Sequence, residues 1–524
     1  MQKSTHILIV GGGTAGWLSA AFLAKTLLTS DNNSIKISLI ESPEIGIIGV
    51  GEGSFPSIRG TLAAIGISEA RFIRECNATF KQGIQFCDWV HTPTEPASTT
   101  KNHYFHPFSQ PSQRAGSPEL LPYWLHGLAG KDRAFADAVT MQKYLADCGR
   151  APKRSSDKDF LGPMNYAYHF DAARFATLLA EHARSLGVHH LLGNVDAVEL
   201  AESGAIASIH SKEHGKLNAD LYIDCTGFRA RLIGEALGSS FHSVSDTLFV
   251  DRALAIQVPY PQADSPIPSY TISTAQEAGW IWDIGLQQRR GIGYVYSSRH
   301  SDAAQAEQVL RRYVGRSMDH LQARSLQLEL GYRPIQWIHN CVAIGLSGGF
   351  LEPLESSGIG LIETAAYLVS YLFPYNGEFA PVAKTFNHLM SQRYERIVDF
   401  IKLHYCLSQR TDTAFWRDNT AAESIPASLR DKLNMWQGRP PSRLDFITDL
   451  EMYPPSSWQY VLYGMEFATQ LPTNLIRKDE LAAAQEAFQN IATMREFAAK
   501  DLPDHRQLID FYCAQARSTT PLVN

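Results

Sequence analysis

The sequence I-L-I-V-G-G-G-T-A-G-W places Gly11, Gly13 and Gly16 in the spacing G-x-G-x-x-G, between an apolar run and a helical pattern. Each glycine serves a different need. Gly11 permits a tight turn, Gly13 lets backbone N–H groups approach a pyrophosphate at a helix N-terminus, and Gly16 lets helix and strand pack closely. Glu41 closes the next strand-like segment, where a carboxylate can accept hydrogen bonds from a ribose. The expected chemistry is dinucleotide binding. Two further clusters are aromatic. Trp280 and Trp282 lie two residues apart in G-W-I-W-D-I-G, so on a strand they share one face. His106 and Phe108 sit in H-Y-F-H-P-F, a segment suited either to packing or to holding a flat ligand.

These residues require positioning elements. His6–Val10 reads as a buried strand, Ala15–Leu28 as a helix and Ser34–Ile40 as a second strand, which is a βαβ start. Ser68–Phe80 has the apolar spacing of an amphipathic helix, with a strand over Gly83–Trp89, so Lys81 falls at a junction between elements. Thr92–Ser117, rich in Pro, Ser, Thr, His and Gln, reads as a long loop. A strand is expected around Asn165–Phe170, a helix over Asp171–Leu186, and a strand over Asp220–Cys225. Leu248–Ile344 reads as mostly β structure with one helix at Ala303–Val314. From Gly360 onward the pattern is mainly helical, including Leu361–Phe373, Val382–Leu403 and Glu480–Asp501. The expected fold is α/β: a Rossmann-like nucleotide-binding domain of the flavin monooxygenase type over 1–375, with interleaved substrate-side β structure, and a helical substrate-covering region over 376–524.

Composition narrows the classes of function. A formal charge of −6, with 19% charged and 44% hydrophobic residues, gives no electrostatic case for nucleic acid or an anionic membrane. Seven cysteines without a C-x-x-C pair suit reduced thiols in a cytoplasm rather than a zinc site, and no metal is expected. The apolar runs at His6–Val10 and Leu361–Phe373 are too short for a signal or membrane segment.

Y-I-D-C-T-G-F, Tyr222–Phe228, resembles the second nucleotide-facing loop of FAD-binding monooxygenase-like proteins and favours FAD over a dissociable NAD; an ordinary strand end is the plainer alternative. Four segments together then resemble the flavin-dependent tryptophan halogenases: G-G-G-T-A-G-W; G-V-G-E-G-S-F-P-S at Gly49–Ser57 followed by E-C-N-A-T-F-K; G-W-I-W-D-I-G at Gly279–Gly285; and G-F-L-E-P-L-E-S-S-G-I at Gly349–Ile359. Weaker similarity at Y-A-Y-H-F-D and D-T-A-F-W-R extends the match over nearly the whole chain.

The resemblance implies a halogenase in which reduced FAD and O2 convert chloride or bromide to hypohalous acid, which travels through a tunnel to a lysine beside the organic substrate. Lys81 matches that lysine. Its ammonium can hydrogen-bond and polarise hypohalous acid, while the neutral amine can form a haloamine; desolvation would draw its pKa below the free value of about 10.4. Alone, such a lysine would more often be an exposed helix end. Glu355 matches the catalytic glutamate, able to orient the oxidant and accept the ring proton. Ser357 and Gly358 match the backbone positions that cradle halide, where a glycine brings N–H groups close to an anion; P-L-E-S-S-G is alternatively an N-capped helix start.

For the cofactor, the resemblance implies contacts from Gly11, Gly13, Thr14, Ala15, Gly16, Glu41, Gly53, Val195, Leu346 and Ile359. Trp280, Trp282 and Ile284 match the W-x-W-x-I-P signature near the flavin, which keeps organic substrate away from it, but Gly285 replaces the proline. His106 and Phe108 match positions that stack an indole, with Tyr453 or Trp458 as an opposite wall, so the substrate is expected to be an electron-rich aromatic such as an indole or tryptophan. No NAD(P)H-binding segment is evident, so a separate NAD(P)H-dependent flavin reductase is expected, and a homodimer is implied. The rivals are an FAD-dependent aromatic hydroxylase and a non-catalytic flavoprotein. Hydroxylases of that kind usually carry a G-D pair where this chain has Gly345–Leu346.

Overall fold

The computed structural model describes residues 5–28, 35–44, 46, 51–93, 102–112, 117–130 and 132–514. Gly49 and Val50 of the second motif lie outside them. Chain contacts divide the protein into two compact units, each built from three separated segments: Met1–Ala78, Phe170–Val244 and Glu329–Glu395 in the first, and Thr79–His169, Ser245–Leu328 and Arg396–Asn524 in the second. Position 375, the boundary expected from sequence, falls within the last segment of the first unit.

The first unit is organised on a six-stranded sheet in the order Trp337–Ile338, Cys341–Ala343, Leu221–Asp224, Thr5–Val10, Ile35–Glu41, His189–Leu192. Thr5–Val10 pairs in parallel with Leu221–Asp224 on one side and Ile35–Glu41 on the other. Its residues from Ile7 to Val10 are buried, as a continuous apolar run in a covered parallel sheet should be. Leu8, Val10, Ile40, Tyr222, Leu232 and Ile233 share one core cluster. The helix Thr14–Leu27 follows the first strand and packs against the helices Ala172–Ser185 and Ser357–Tyr371.

The helix expected over Ser68–Phe80 is shorter. It runs from Glu69 to Glu75 with Ser68 accepting the Arg71 N–H as its cap. Asn77 then takes a left-handed conformation, φ 56°, which Asn tolerates better than most residues. Thr79–Lys81 continues as a strand.

The second unit is built on a seven-stranded sheet in the order Arg324–Gln327, Arg252–Pro259, Arg289–Tyr296, Gly279–Gly285, Thr271–Gln276, Gly83–Cys87, His103–Pro107. All its pairings are antiparallel except Thr271–Gln276 with Gly83–Cys87. One face packs under the amphipathic helix Ala303–Val314 through Leu254, Ile281, Ile292, Tyr294, Val309 and Leu310. The long loop expected at Thr92–Ser117 contains the edge strand His103–Pro107, whose aromatics fit a pleated, buried surface. The helices Leu120–Leu125, Phe135–Val139, Gln142–Asp147, Ala414–Thr420, Ala427–Gly438, Pro455–Gly464, Leu481–Asp501 and His505–Ala514 also belong to this unit.

Candidate active site

In the first unit the glycine loop, the end of the second strand and the helix Ser357–Tyr371 line one cavity of about 400 Å³, within the usual size of a ligand site. Among the expected cofactor residues, Gly11, Gly13, Thr14, Ala15, Glu41, Val195, Leu346 and Ile359 line it, joined by Gly358. Gly53 does not, whereas its neighbour Glu52 does. Gly16 has a packing role: a Cβ there would overlap the Gly11 carbonyl oxygen. Gly11 itself has φ +112°, and a Cβ would overlap the Cys225 carbonyl. At Gly12, a position the motif leaves open, a Cβ would strike the Glu41 carboxylate. At Gly13 nothing lies within 4 Å of that point, so the absent side chain leaves open space where a ligand approaches.

Electrostatics also favour an anionic group here. The helix Thr14–Leu27 has no acidic residue in its first turn and no side-chain cap at Gly13, leaving its dipole and N–H groups for a pyrophosphate. Across the cavity, Asp224 ends its strand by accepting the Thr226 N–H through Oδ1 and the Leu232 and Ile233 N–H groups through Oδ2, at 2.8–2.9 Å. This bonding shapes the loop through Cys225, Thr226 and Gly227, all of which line the cavity. Both readings of Y-I-D-C-T-G-F therefore have a physical basis, since the strand end is also cavity wall.

Sequence reasoning missed Glu52, Arg229, Arg231 and Tyr394 on the same wall. Glu52 lies inside the second matched segment, Gly49–Ser57, where its neighbour Gly53 is the residue singled out instead, whereas Arg229, Arg231 and Tyr394 lie outside every quoted segment. Burial pushes the Glu52 carboxyl up to about 7. Glu363, on the helix behind the cavity, is likewise raised to about 7 by burial, although it accepts a 2.7 Å bond from Ser57 Oγ.

The segment matched to halide binding starts a helix earlier than expected: at Ser357, not Leu361. Pro353–Glu355 forms a short 3₁₀ turn, Glu355 is buried, and Ser356 turns the chain at φ 58°. Ser356 makes no capping hydrogen bond with its side chain, and the first turn has no acidic residue. Ser357 and Gly358 therefore present N–H groups at a helix end that the expected cap does not occupy.

In the second unit Lys81 is completely buried, against the habit of lysines. It ends the strand Thr79–Lys81, paired antiparallel with Ala167–Phe170, and its Nζ lies over the Phe108 ring at 5.3 Å from the centroid. His106, also buried, has Nε2 2.8 Å from Ser457 Oγ. From there an aromatic chain runs on: His106 to Phe400 at 5.9 Å, Phe400 stacked on Tyr453 at 4.1 Å and edge-on to Trp458 at 5.0 Å. The structure thus brings Lys81, His106, Phe108, Tyr453 and Trp458 into one contiguous cluster. Phe400 and Ser457 had no motif to flag them.

Two buried histidines flank the strand that carries Lys81. His169 pairs across from Thr79 and bonds Thr271 Oγ1 at 2.8 Å. Its pKa is held well below the usual range, by burial first and then by the charge of Lys81. His505 accepts the Phe80 N–H at 3.1 Å, and burial lowers its pKa to about 4.

Trp280 and Trp282 do share a face, with centroids 6.3 Å apart, and the strand ends at Gly285 beside the lysine strand: Thr79 Oγ1 donates to the Gly285 carbonyl at 2.6 Å. A Cβ at Gly285 would come within 2.8 Å of Ile267 Cγ2 and 2.9 Å of the Tyr260 hydroxyl. Neighbouring side chains therefore fill the volume a proline ring would take.

Among the described residues no cluster of His, Cys, Asp and Glu could hold a metal ion, and no helix is long and apolar enough to cross a membrane.

Comparison with known proteins agrees over the whole length. The family model for tryptophan halogenase matches residues 6–480. The chain is 34% identical to the tryptophan 6-halogenase SttH of Streptomyces toxytricini, over 96% of this chain and 97% of that one. The solved tryptophan halogenase of Shewanella frigidimarina superposes with a TM-score of 0.93 at 41% identity, covering 100% and 99% of the two chains. Xcc4156, a flavin-dependent halogenase of Xanthomonas campestris, does so at 0.86 and 34% identity, covering 98% and 99%.

Proposed function

The chain belongs to the tryptophan halogenase family and is a flavin-dependent halogenase using reduced FAD, O2 and halide, and from that premise we propose that Lys81 delivers the halogen to an indole-like aromatic substrate. The observation that carries this reading is the complete burial of Lys81 against Phe108, inside an aromatic cluster of the second unit. Reduced FAD, when bound, would supply together with O2 the oxidation of halide to hypohalous acid.

The residues of the chain do the rest. Gly11, Gly13, Thr14 and Ala15 hold the cofactor pyrophosphate, Gly16 lets the turn pack closely enough to present them, Glu41 holds its ribose, and Val195, Leu346 and Ile359 make further contacts, while the N–H groups of Ser357 and Gly358 receive halide. Trp280, Trp282 and Ile284 screen the organic substrate from the flavin. The Lys81 ammonium hydrogen-bonds hypohalous acid. An electron pair of the aromatic ring takes the halogen, the O–X bond breaks, and the departing hydroxide takes a proton from the ammonium to leave as water. The carbon that gained halogen gives its proton to Glu355, restoring aromaticity. Return of that proton from Glu355 to the Lys81 amine restores both groups, so that the sum is ArH + HOX → ArX + H2O, and transfer through a haloamine on the neutral Lys81 gives the same sum. His106, Phe108, Tyr453 and Trp458 hold the flat substrate, which supports an indole or free tryptophan. A separate NAD(P)H-dependent reductase supplies reduced flavin, and the enzyme works as a cytoplasmic homodimer.

The test is Lys81→Ala, assayed with a flavin reductase, NADH, O2 and bromide over a panel of indoles. Halogenated product is expected to vanish while FAD binding, followed by flavin fluorescence, stays unchanged. Undiminished product in the variant would remove Lys81 from the reaction.

A further inference from the structure

Among the described residues the strand Thr79–Lys81 is an edge strand, paired on one side only with Ala167–Phe170. An edge leaves alternate backbone N–H groups without a ladder partner, and such a group must find an acceptor when it is buried. Phe80 is completely buried. Its N–H is met not by another strand but by a side chain from the far end of the sequence, the Nε2 of His505, at 3.1 Å. The other ring nitrogen of His505, Nδ1, lies 2.8 Å from the carbonyl oxygen of Ile267.

These two partners determine the tautomer. A carbonyl can only accept, so Nδ1 carries the hydrogen; a backbone N–H can only donate, so Nε2 offers its lone pair. The ring is therefore neutral and oriented in one way. It joins the lysine strand to the segment at Ile267, and its imidazole packs on the Phe80 ring at 5.9 Å. On the side of the strand that carries Lys81, Thr79 Oγ1 is fixed to the Gly285 carbonyl at 2.6 Å. One residue beyond the lysine, the Gln82 N–H donates to the Ser269 carbonyl at 2.6 Å.

We propose that His505 is a positioning residue for Lys81: by accepting the Phe80 N–H it fixes the backbone immediately before the lysine, and with it the place from which the amine reaches the substrate. The claim rests on Lys81 being the halogen-delivering group. Displacements near 1 Å in such a group cost about a hundredfold in rate, so the tether matters to chemistry beyond its contribution to folding.

Two substitutions separate its two bonds. In His505→Gln the amide oxygen reaches the place of Nε2 and can still accept from Phe80. In His505→Asn the shorter side chain reaches only the place of Nδ1, keeping the bond to Ile267 and losing the one to Phe80. With the full chain, a reductase, bromide and an indole substrate that the wild type brominates, the Asn variant is expected to lose roughly tenfold or more in kcat for product. Its KM and its FAD affinity should stay near wild type, and hydrogen exchange at the Phe80 amide should accelerate. The Gln variant should recover most of the rate and the protection. In the Lys81→Ala background, adding His505→Asn should change nothing further, since the tether acts through the amine.

Equal losses in the Gln and Asn variants would show a merely structural residue and overturn the proposal. So would an Asn variant with fast exchange at Phe80 and unchanged kcat. Full product from Lys81→Ala alone would instead refute the role of Lys81, and the positioning claim with it.

Discussion

The ε-nitrogen of Lys81 lies over the phenyl ring of Phe108, 5.3 Å from its centroid, with both side chains shut away from water. The negative face of the ring favours the ammonium form, by about 1–2 kcal/mol when desolvated. Phe108→Leu keeps apolar bulk and removes that face. We expect kcat for halogenation to fall roughly 5- to 30-fold, with FAD affinity unchanged, and Phe108→Tyr to retain most of the activity. An unaltered kcat in the Leu variant would show that the ring does not act on the amine.

The glycine loop separates folding from binding residue by residue. A methyl at Gly13 meets nothing within 4 Å among the described residues, whereas one at Gly11 overlaps the Cys225 carbonyl in a left-handed backbone. Gly13→Ala should melt like wild type and bind FAD roughly tenfold or more weakly, because its methyl occupies the approach of the pyrophosphate. Gly11→Ala should lose about 1–3 kcal/mol of stability before any flavin is added. Flavin titration and thermal melting of the two apoproteins distinguish these outcomes.

Acid and base should destabilise the apoprotein through different residues. His505 titrates near 4 when folded, with Asp504, Arg506 and His169 around it, and His169 is lowered well below 6.5 beside Lys81 and His505. Both are depressed from the ordinary histidine value of 6.5, so their contribution is present above that pH and is lost as pH falls toward 4. Glu52 and Glu363 move oppositely, from the ordinary glutamate value of 4.5 up to about 7, so their contribution is present below 4.5 and fades as pH rises through 7. Melting temperature against pH should therefore fall more gently on the acid side in His505→Gln, and more gently between pH 5 and 7 in Glu363→Gln (roughly the span between the two states). Curves parallel to wild type would contradict these assignments.

Restoring the family proline tests the filled volume at Gly285. With Ile267 Cγ2 and the Tyr260 hydroxyl 2.8 and 2.9 Å from the point a Cβ would occupy, Gly285→Pro should cost about 1–3 kcal/mol through overpacking. Adding Tyr260→Phe removes one of the two obstructing atoms and should return part of that stability. Chemical denaturation of the three variants measures it.

The nucleotide half was legible because its motif is contiguous: strand, glycine turn and helix follow one another, and Gly11 and Gly16 answer local steric demands. The lysine was legible only through its flanking residues and the family resemblance, since nothing local says that position 81 will be buried. The helix expected over Ser68–Phe80 stops short where a left-handed Asn77 intervenes, and the strand His103–Pro107 was hidden by polar and proline-rich neighbours. Phe400, Ser457 and His505 reach the lysine cluster from the C-terminal helices. Contacts between segments so far apart, such as the 351 residues from His106 to Ser457 and the 425 from Phe80 to His505, leave no periodicity to read, and Arg229, Arg231 and Tyr394 likewise reach the cavity of the first unit from segments far from the glycine loop.

Because the Glu41 carboxylate rests where a side chain at position 12 would begin, Gly12 is coupled to an acid twenty-nine residues further along the chain. A selection that randomised codon 12 alone should return glycine, while one that also freed codon 41 could escape only by giving up the Glu41 side chain. The motif's nominally open letter is thus closed by the fold, and consensus spacing alone understates how little freedom this turn has.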